Sequence, residues 1–202
     1  MYLSLNELQN MTTFHFPTVI PLLRHGLNTA VSILSCEKCP AQPFSTIQNV
    51  MSLGALLTAI GERYFRALEA INAEAKLREQ TGEKKAFRVG DPNPELYHMH
   101  TGTPDCPMGF TIELEPKEWR KLSKRAIRAE VFGGGSNPNP LCSVLDKMEE
   151  RQHTWHEQGD PEIKKLFGVH EDAQGNCLVP EGAQCIRMIN QVRRMIKNMD
   201  WD

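Results

Sequence analysis

The sequence predicts an all-α fold: an irregular helical bundle built on an antiparallel helical hairpin, with long loops. Apolar residues recur three and four positions apart in five segments, which is the spacing of one helix face. Proline- and glycine-rich stretches separate these segments, and Phe110 to Leu114 is too short to predict a strand. The 202 residues, 40% hydrophobic and 24% charged, are near globular averages and are enough for one ordinary domain.

The first two periodic segments predict the hairpin. One runs from Pro17 to about Cys36, and the other, from Ser45 to about Ala75, is the strongest in the chain. Gly54 and Gly61 lie on the apolar face of the second helix, where each weakens it by about 1 kcal/mol relative to alanine. We therefore expect these glycines to allow close packing against the first helix.

Turn-forming residues replace the helical pattern between Gln80 and Pro116. Helical spacing returns in three segments: Pro116 to Phe132, Leu141 to Gln158, and about Glu181 to the C-terminus. The stretch from Gly133 to Pro140 is interpreted as a flexible break. The chain is thus divided into three parts. Residues 1–80 form the helical hairpin, and residues 81–115 form a loop-rich segment that is exposed or partly disordered. Residues 116–202 form C-terminal helices that pack on the hairpin as one domain.

Charge and motif content argue against several classes of protein. A formal net charge of −2 argues against a coat of basic residues for nucleic acid, so any basic function must be local. No run of about 18 apolar residues predicts a transmembrane helix. Met1 to Phe16 has no secretory signal, so we expect an intracellular protein. No nucleophile elbow, catalytic carboxylate pair or nucleotide fingerprint is present, so we predict no enzymatic activity.

The six cysteines are mostly far apart, with gaps of 2, 66, 35, 34 and 7 residues, and a disulfide scaffold is not expected. Only Cys36 and Cys39 have the Cys-x2-Cys spacing of a metal or redox site. They follow a predicted helix C-terminus, where the helix dipole disfavours a thiolate. Zinc would need two further ligands, which only the fold could bring from Cys177, Cys185 or His170. We therefore expect packing or surface thiols.

Histidines form two further candidate ligand groups. His98 and His100 precede Cys106, but the surrounding loop offers no regular element to fix ligand geometry, so we interpret them as polar loop residues. His153 and His156 lie near several glutamates. A two-histidine metalloprotease motif requires His-Glu-x-x-His, whereas the sequence here is His-Thr-Trp-His, so we expect a solvated, charged helix face.

One predicted helix carries a dense basic stripe that is opposed only by Glu118. Its cations fall within twelve residues and are Lys117, Arg120, Lys121, Lys124, Arg125 and Arg128. Such a stripe suits an acidic protein partner, nucleic acid or nuclear import. No aromatic residues are interleaved with it in the way that single-strand binders use them. A solvated outer face is the alternative interpretation.

Two parts of the chain carry a recognisable arrangement. In the first, an apolar helix ends in a Cys-x2-Cys-Pro segment, and a long helix follows with an asparagine near its start and a tyrosine near its end. The residues concerned are Ile33 to Pro40, Ile47 to Met51, Leu56, Leu57, Arg63 and Tyr64. The second part is the amphipathic run from Cys185 to Ile196. Together they resemble the C-terminal regulatory region of fungal zinc-cluster transcription factors, over roughly half of the chain.

The resemblance implies a regulatory, protein-interaction domain that acts in the nucleus and controls transcription without contacting DNA through this chain. The family reads DNA with a separate module, in which six cysteines in two tight clusters hold two zinc ions. The gaps of 66, 35 and 34 residues here cannot build that cluster. The resemblance therefore implies no cofactor for this chain, because zinc is confined to the DNA-binding module that the chain lacks.

The partners that the resemblance implies are proteins of the transcription machinery or a second copy of the chain, with no membrane contact. One alternative is a stand-alone helical protein with a metal or redox site at Cys36 and Cys39. Another is a helical scaffold, unrelated to transcription, that binds an acidic partner through Lys117 to Arg128.

Overall fold

A computed structural model describes residues 1–37, 43–90, 93–101, 105–158 and 183–202 of the protein. These residues are mostly helical. The helices are α1 (Tyr2–Gln9), α2 (Ile20–Leu34), α3 (Pro43–Thr81), α4 (Pro116–Phe132), α5 (Leu141–Gln158) and α6 (Gln184–Lys197). The remaining elements are β1 (Lys85–Gly90), a short 3-10 helix (Pro94–Met99) and β2 (Gly109–Leu114).

A two-stranded antiparallel sheet corrects the all-α expectation and the loop-rich interpretation of residues 81–115. Lys85 of β1 lies opposite Leu114 of β2, and Gly90 lies opposite Gly109. Exposure alternates along β1, and Phe87 points inward, where its ring stacks on Phe16 with centroids 6.3 Å apart. The strands are six residues each and pair across a long connection, so a local pattern contains too little of the sheet to predict it.

Helix α3 is the central element, with 39 residues. Neither α3 nor any other helix in the described ranges combines the length and apolar character that a bilayer crossing requires. Helix α1, which the sequence pattern did not predict, packs against it, and Arg63 Nε donates a hydrogen bond of 3.0 Å to the Leu8 carbonyl. With eight residues and a weak apolar face, α1 depends on this packing more than on its own propensity.

Helices α2 and α3 form the expected antiparallel hairpin. A Cβ on Gly26 would lie 3.0 Å from Ile60 Cδ1, and Leu34 near the end of α2 lines the same cleft as Thr46 near the start of α3. The predicted partner of the α3 glycines is wrong, however, because Gly54 and Gly61 face α6 and not α2. Helical spacing identifies the buried face of a helix but not the helix that covers it.

Two methionines of α6 occupy the space that the α3 glycines leave. A Cβ on Gly54 would overlap the end of Met188, and one on Gly61 would lie 2.5 Å from Met195 Cε. Both pairs are seven residues apart, so α6 runs parallel to α3 in a fixed register. One hydrophobic cluster contains buried residues from all six helices of the described ranges.

The turn after α4 is ordered and not the flexible break that its composition suggested. Gly133 and Gly134 adopt positive φ angles of 97° and 90°, which favour glycine. Asn137 is buried and its Nδ2 donates a 2.9 Å hydrogen bond to Glu130 Oε2. Asn139 Nδ2 donates to Asn28 Oδ1 over 3.0 Å, which ties the turn to α2. The local sequence of this segment allows many backbone conformations. Hydrogen bonds from its asparagine side chains to α4 and α2 select the one that is observed.

Glu74 connects α3 to β1 and is expected to make the fold sensitive to acid. Its Oε1 accepts hydrogen bonds from Lys85 Nζ at 2.5 Å and from Arg78 Nε at 3.2 Å. Burial raises the pKa of Glu74, but the hydrogen bonds and charges of Lys85 and Arg78 outweigh it and hold the pKa below its ordinary value. Because the folded pKa is the lower one, the stabilisation is present above the unfolded pKa of about 4.3 and is lost as the pH falls through the folded value.

We expect Glu74→Gln to be less stable than the natural protein at pH 7 and the difference to be smaller at about pH 3, because the carboxylate of the natural protein takes up a proton as the pH falls through its lowered pKa. Urea unfolding at both pH values measures the difference. Glu79→Gln, at an exposed position of the same helix, is the control and should change neither value. An equal gap between Glu74→Gln and the natural protein at both pH values would contradict this role.

Candidate partner-binding cleft and cysteine environments

The basic side chains of α4 line a cleft of about 600 Å³ beside the C-terminal residues Trp201 and Asp202. All six cations singled out from the sequence are among its lining residues: Lys117, Arg120, Lys121, Lys124, Arg125 and Arg128. The helical spacing therefore places these six side chains along one cleft, as the sequence pattern predicted.

The sequence of α4 explains why this face points outward. Pro116 occupies the first turn, and the Glu115 backbone N–H donates a 3.4 Å hydrogen bond to the Glu118 side chain. Trp119 and Ile127 are 1% and 0% exposed, so they fix the inner face of the helix. Glu118, the one acidic residue within the stripe, thus helps to cap the N-terminus of α4.

The six cations differ in their surroundings. Lys117, Lys121, Arg125 and Arg128 are exposed, whereas Lys124 is 3% exposed. Lys124 Nζ lies 2.9 Å from Asp200 Oδ2 and donates to the Asp202 carbonyl. The hydrogen bond from Lys124 lowers the pKa of Asp200. Lys124 therefore anchors the segment after α6, and the exposed cations are the ones that a partner can reach.

Aromatic rings lie beside the cleft, although the one aromatic residue within the basic stripe, Trp119, is buried in the core. Phe132 and Trp201 meet edge to face with centroids 5.2 Å apart, and the Arg128 guanidinium lies 5.5 Å from the Phe132 ring centroid. Trp201 Nε1 donates a 3.0 Å hydrogen bond to the Ile196 carbonyl. Sequence reasoning missed Trp201, because only the fold brings the end of the chain to α4.

A second basic surface lies on the outer face of α6 and lines a cleft of about 380 Å³. Its residues are Arg187, Asn190, Arg193, Arg194 and Lys197. Arg193 bonds Asp146 at 2.6 Å and Glu149 at 2.7 Å, which joins α6 to α5. The hydrogen bond from Arg193 lowers the pKa of Glu149. The amphipathic pattern from Cys185 to Ile196 predicted this helix, but these basic residues were not among the predicted site residues.

The Cys-x2-Cys hypothesis stays a prediction. Cys36 lies two residues beyond α2, is partly exposed and lines a cleft of about 620 Å³ with Trp155. Cys39, Cys177 and His170 lie outside the described residues. Within the described ranges, no group of three or more histidine, cysteine, aspartate or glutamate side chains is arranged to hold a metal ion.

Two histidines contact cysteines. His100 Nδ1 lies 3.8 Å from Sγ of Cys106, which is 6% exposed, whereas the His98 side chain is exposed. The expectation of a solvated face is wrong for His156, which is 5% exposed, with its Nε2 3.2 Å from Cys185 Sγ. The reason is that this part of α5 packs against α6 and not against water. None of the four described cysteines forms a disulfide.

Comparison with known proteins finds similarity to fungal transcription factors. The whole chain is 25% identical over 223 aligned residues to transcription factor rglT of Aspergillus fumigatus, in two strains, and covers 47% of that protein. It is also 25% identical to transcription factor rglT of Emericella nidulans, with 97% of the chain and 45% of the relative aligned. The chain thus spans about half the length of the curated relatives it matches.

No family model and no solved structure matches the chain. The relatives are distant, but they align along nearly all of it. The similarity therefore supports a region of a fungal transcription factor.

Proposed function

We propose that this chain is a regulatory region of a fungal transcription factor and that it acts in the nucleus by binding an acidic protein segment in the α4 cleft. The observation that carries the proposal is the 25% identity to transcription factors along the whole chain. The basic cleft supplies the surface through which such a region can contact a partner.

The geometry of the exposed cations favours an acidic peptide segment. Lys117, Lys121 and Arg125 are four residues apart, so they form one row along α4 with a rise of about 6 Å between neighbours. Carboxylates along an acidic segment can pair with such a row, and the arginine can bind a carboxylate through two hydrogen bonds. Trp201 at the edge adds an aromatic contact of the kind that is enriched where binding energy concentrates.

DNA contact and zinc belong, in this proposal, to a module outside this chain. The cysteine gaps of 66, 35 and 34 residues argue against a binuclear cluster here, and the net charge of −2 argues against a general DNA-binding surface. Cys36 and Cys39 then need no metal. The acidic segment belongs to the transcription machinery, a second copy of the chain is the competing partner, and no membrane is involved.

A reporter assay tests this function directly. The chain is fused to an unrelated DNA-binding domain, and expression of the reporter is measured in a fungal host. We expect the natural sequence to change expression and Lys121→Glu with Arg125→Glu to weaken that change about tenfold, because about 1.4 kcal/mol of lost binding suffices for it.

Lys76→Glu with Lys147→Glu is the matched control, since both lysines are exposed on other helices and the change in net charge is the same. This pair should leave the reporter response intact. A natural fusion without effect contradicts the regulatory role, and equal losses in both double variants contradict the cleft. If the purified chain binds DNA, with or without sequence specificity, this result contradicts the proposal that DNA contact is made by a module outside this chain.

A further inference from the structure

We propose that Cys185 and His156 form a reactive thiol–imidazole pair that is covalently modified by small α,β-unsaturated carbonyl compounds. Cys185 Sγ and His156 Nε2 are 3.2 Å apart, within hydrogen-bonding reach for sulfur. The imidazole is 5% exposed, whereas Cys185 is partly exposed and forms no disulfide. A nucleophile within reach of a base, with the nucleophile accessible, is the arrangement that nucleophilic chemistry requires.

The helix ends on which the two residues lie favour the charged form of the pair. Cys185 is the second residue of α6, where the positive end of the helix dipole stabilises a thiolate. His156 lies in the last turn of α5, where the negative end of the dipole stabilises an imidazolium. Both dipoles therefore act in the same direction, toward a thiolate beside a protonated histidine.

Cys142 is an internal comparison for this environment. It is also the second residue of a helix, α5, and is partly exposed like Cys185. Burial and the charge of Asp146 one turn away raise the pKa of Cys142, although Arg193 opposes them. Two cysteines at equivalent helix positions thus have a histidine neighbour in one case and a carboxylate in the other.

The reaction that fits this pair is a Michael addition. His156 takes the proton from Cys185, the sulfur attacks the β-carbon of the acceptor, and one carbon–sulfur bond forms as the carbon–carbon double bond breaks. The electron pair of that bond moves toward the carbonyl to give an enolate, and the imidazolium returns its proton to the α-carbon. Atoms and electrons balance without any oxidant, and the histidine ends in its starting form.

An adduct at Cys185 would lie beside the contact between α3 and α6. Met188 follows Cys185 by three residues, so the two side chains share a side of α6. Met188 fills the space over Gly54 of α3. The modified sulfur would therefore occupy a position next to the packing that holds α6 in register.

Acrylamide, an uncharged Michael acceptor, is the probe for the test. The purified chain is treated at pH 7, and peptide mass spectrometry follows the rate of addition at each cysteine. We expect Cys185 to react at least about tenfold faster than Cys142, since neighbouring imidazolium and helix N-termini are what activate thiols. His156→Gln should bring the rate at Cys185 close to that of Cys142 and leave Cys142 unchanged.

The same measurement in concentrated urea separates the effect of the fold from that of local sequence, because both cysteines should then react at similar rates. A Cys185 rate in the folded natural protein that does not exceed the Cys142 rate overturns the proposal. So does a folded His156→Gln variant that keeps the fast rate. If this variant unfolds, the natural protein alone tests the proposal through the ratio of the Cys185 rate to the Cys142 rate. This ratio should be high in the folded protein and close to one in urea.

Discussion

Trp119→Ala is expected to lower the free energy of unfolding by about 3–5 kcal/mol, the cost of removing a large aromatic side chain from a packed core. The ring is 1% exposed on the inner face of α4, and Lys85 Nζ lies 5.4 Å from its centroid. Its Nε1 has no hydrogen-bond acceptor among the described residues, so packing carries its contribution. The loss is a large share of the about 5–15 kcal/mol that stabilises a typical protein.

Urea unfolding followed by far-UV circular dichroism measures this loss without depending on tryptophan fluorescence. Leu122→Ala is the matched control, because Leu122 is on the same helix but 38% exposed. Its cost should be within about 1 kcal/mol, as for most surface substitutions. Equal costs for the two variants would mean that α4 does not pack on the core through the face described.

Glu130→Ala is expected to cost about 2–4 kcal/mol, because it breaks a buried ion pair between helices. Arg24 Nε and Nη2 donate to the two Glu130 oxygens at 2.9 and 2.5 Å, and Asn137 donates at 2.9 Å. The hydrogen bond with Glu130 raises the pKa of Arg24, although burial opposes it. The expected cost is below that of a fully buried pair, since the Arg24 side chain is 34% exposed and water can hydrate part of it.

A double-mutant cycle identifies the pair as the cause. Arg24→Ala with Glu130→Ala should cost clearly less than the sum of the single changes, because each single change already removes the same contact. Thermal or urea unfolding of the four proteins gives the coupling energy. Additive costs would contradict the pairing, and Ser136→Ala, which removes only the 3.0 Å contact of its hydroxyl with Arg24, should be nearly neutral.

Helical periodicity was sufficient to predict α2 to α6, because each of these helices buries one continuous apolar stripe. It was not sufficient for α1, whose eight residues contain little more than two turns, or for the two strands, which pair across a long connection. The partner of Gly54 and Gly61 was also wrong. Seven-residue spacing fixes a helix face, whereas the choice between two covering helices depends on the fold of the whole chain.

In the candidate site, too, contacts between sequence neighbours could be predicted, and contacts between distant parts of the chain could not. The basic row of α4 could be predicted, since its members are neighbours in sequence as well as in space. The burial of Lys124, the position of Trp201 and the contact between His156 and Cys185 could not, because each joins residues from different helices. The sequence predicted only packing or surface thiols among the cysteines, and the histidine beside Cys185 is revealed by the position of α5.

The register between α3 and α6 has a mechanical consequence. Helix α6 has 14 residues, so it is a rod about 21 Å long, with Cys185 at one end and Asp200 just beyond the other. Asn72 of α3 hydrogen-bonds Asp200 at 3.0 Å, which adds a third point of attachment to the two methionine–glycine contacts. Any sliding of this rod along α3 moves the thiol and the edge of the basic cleft by the same distance.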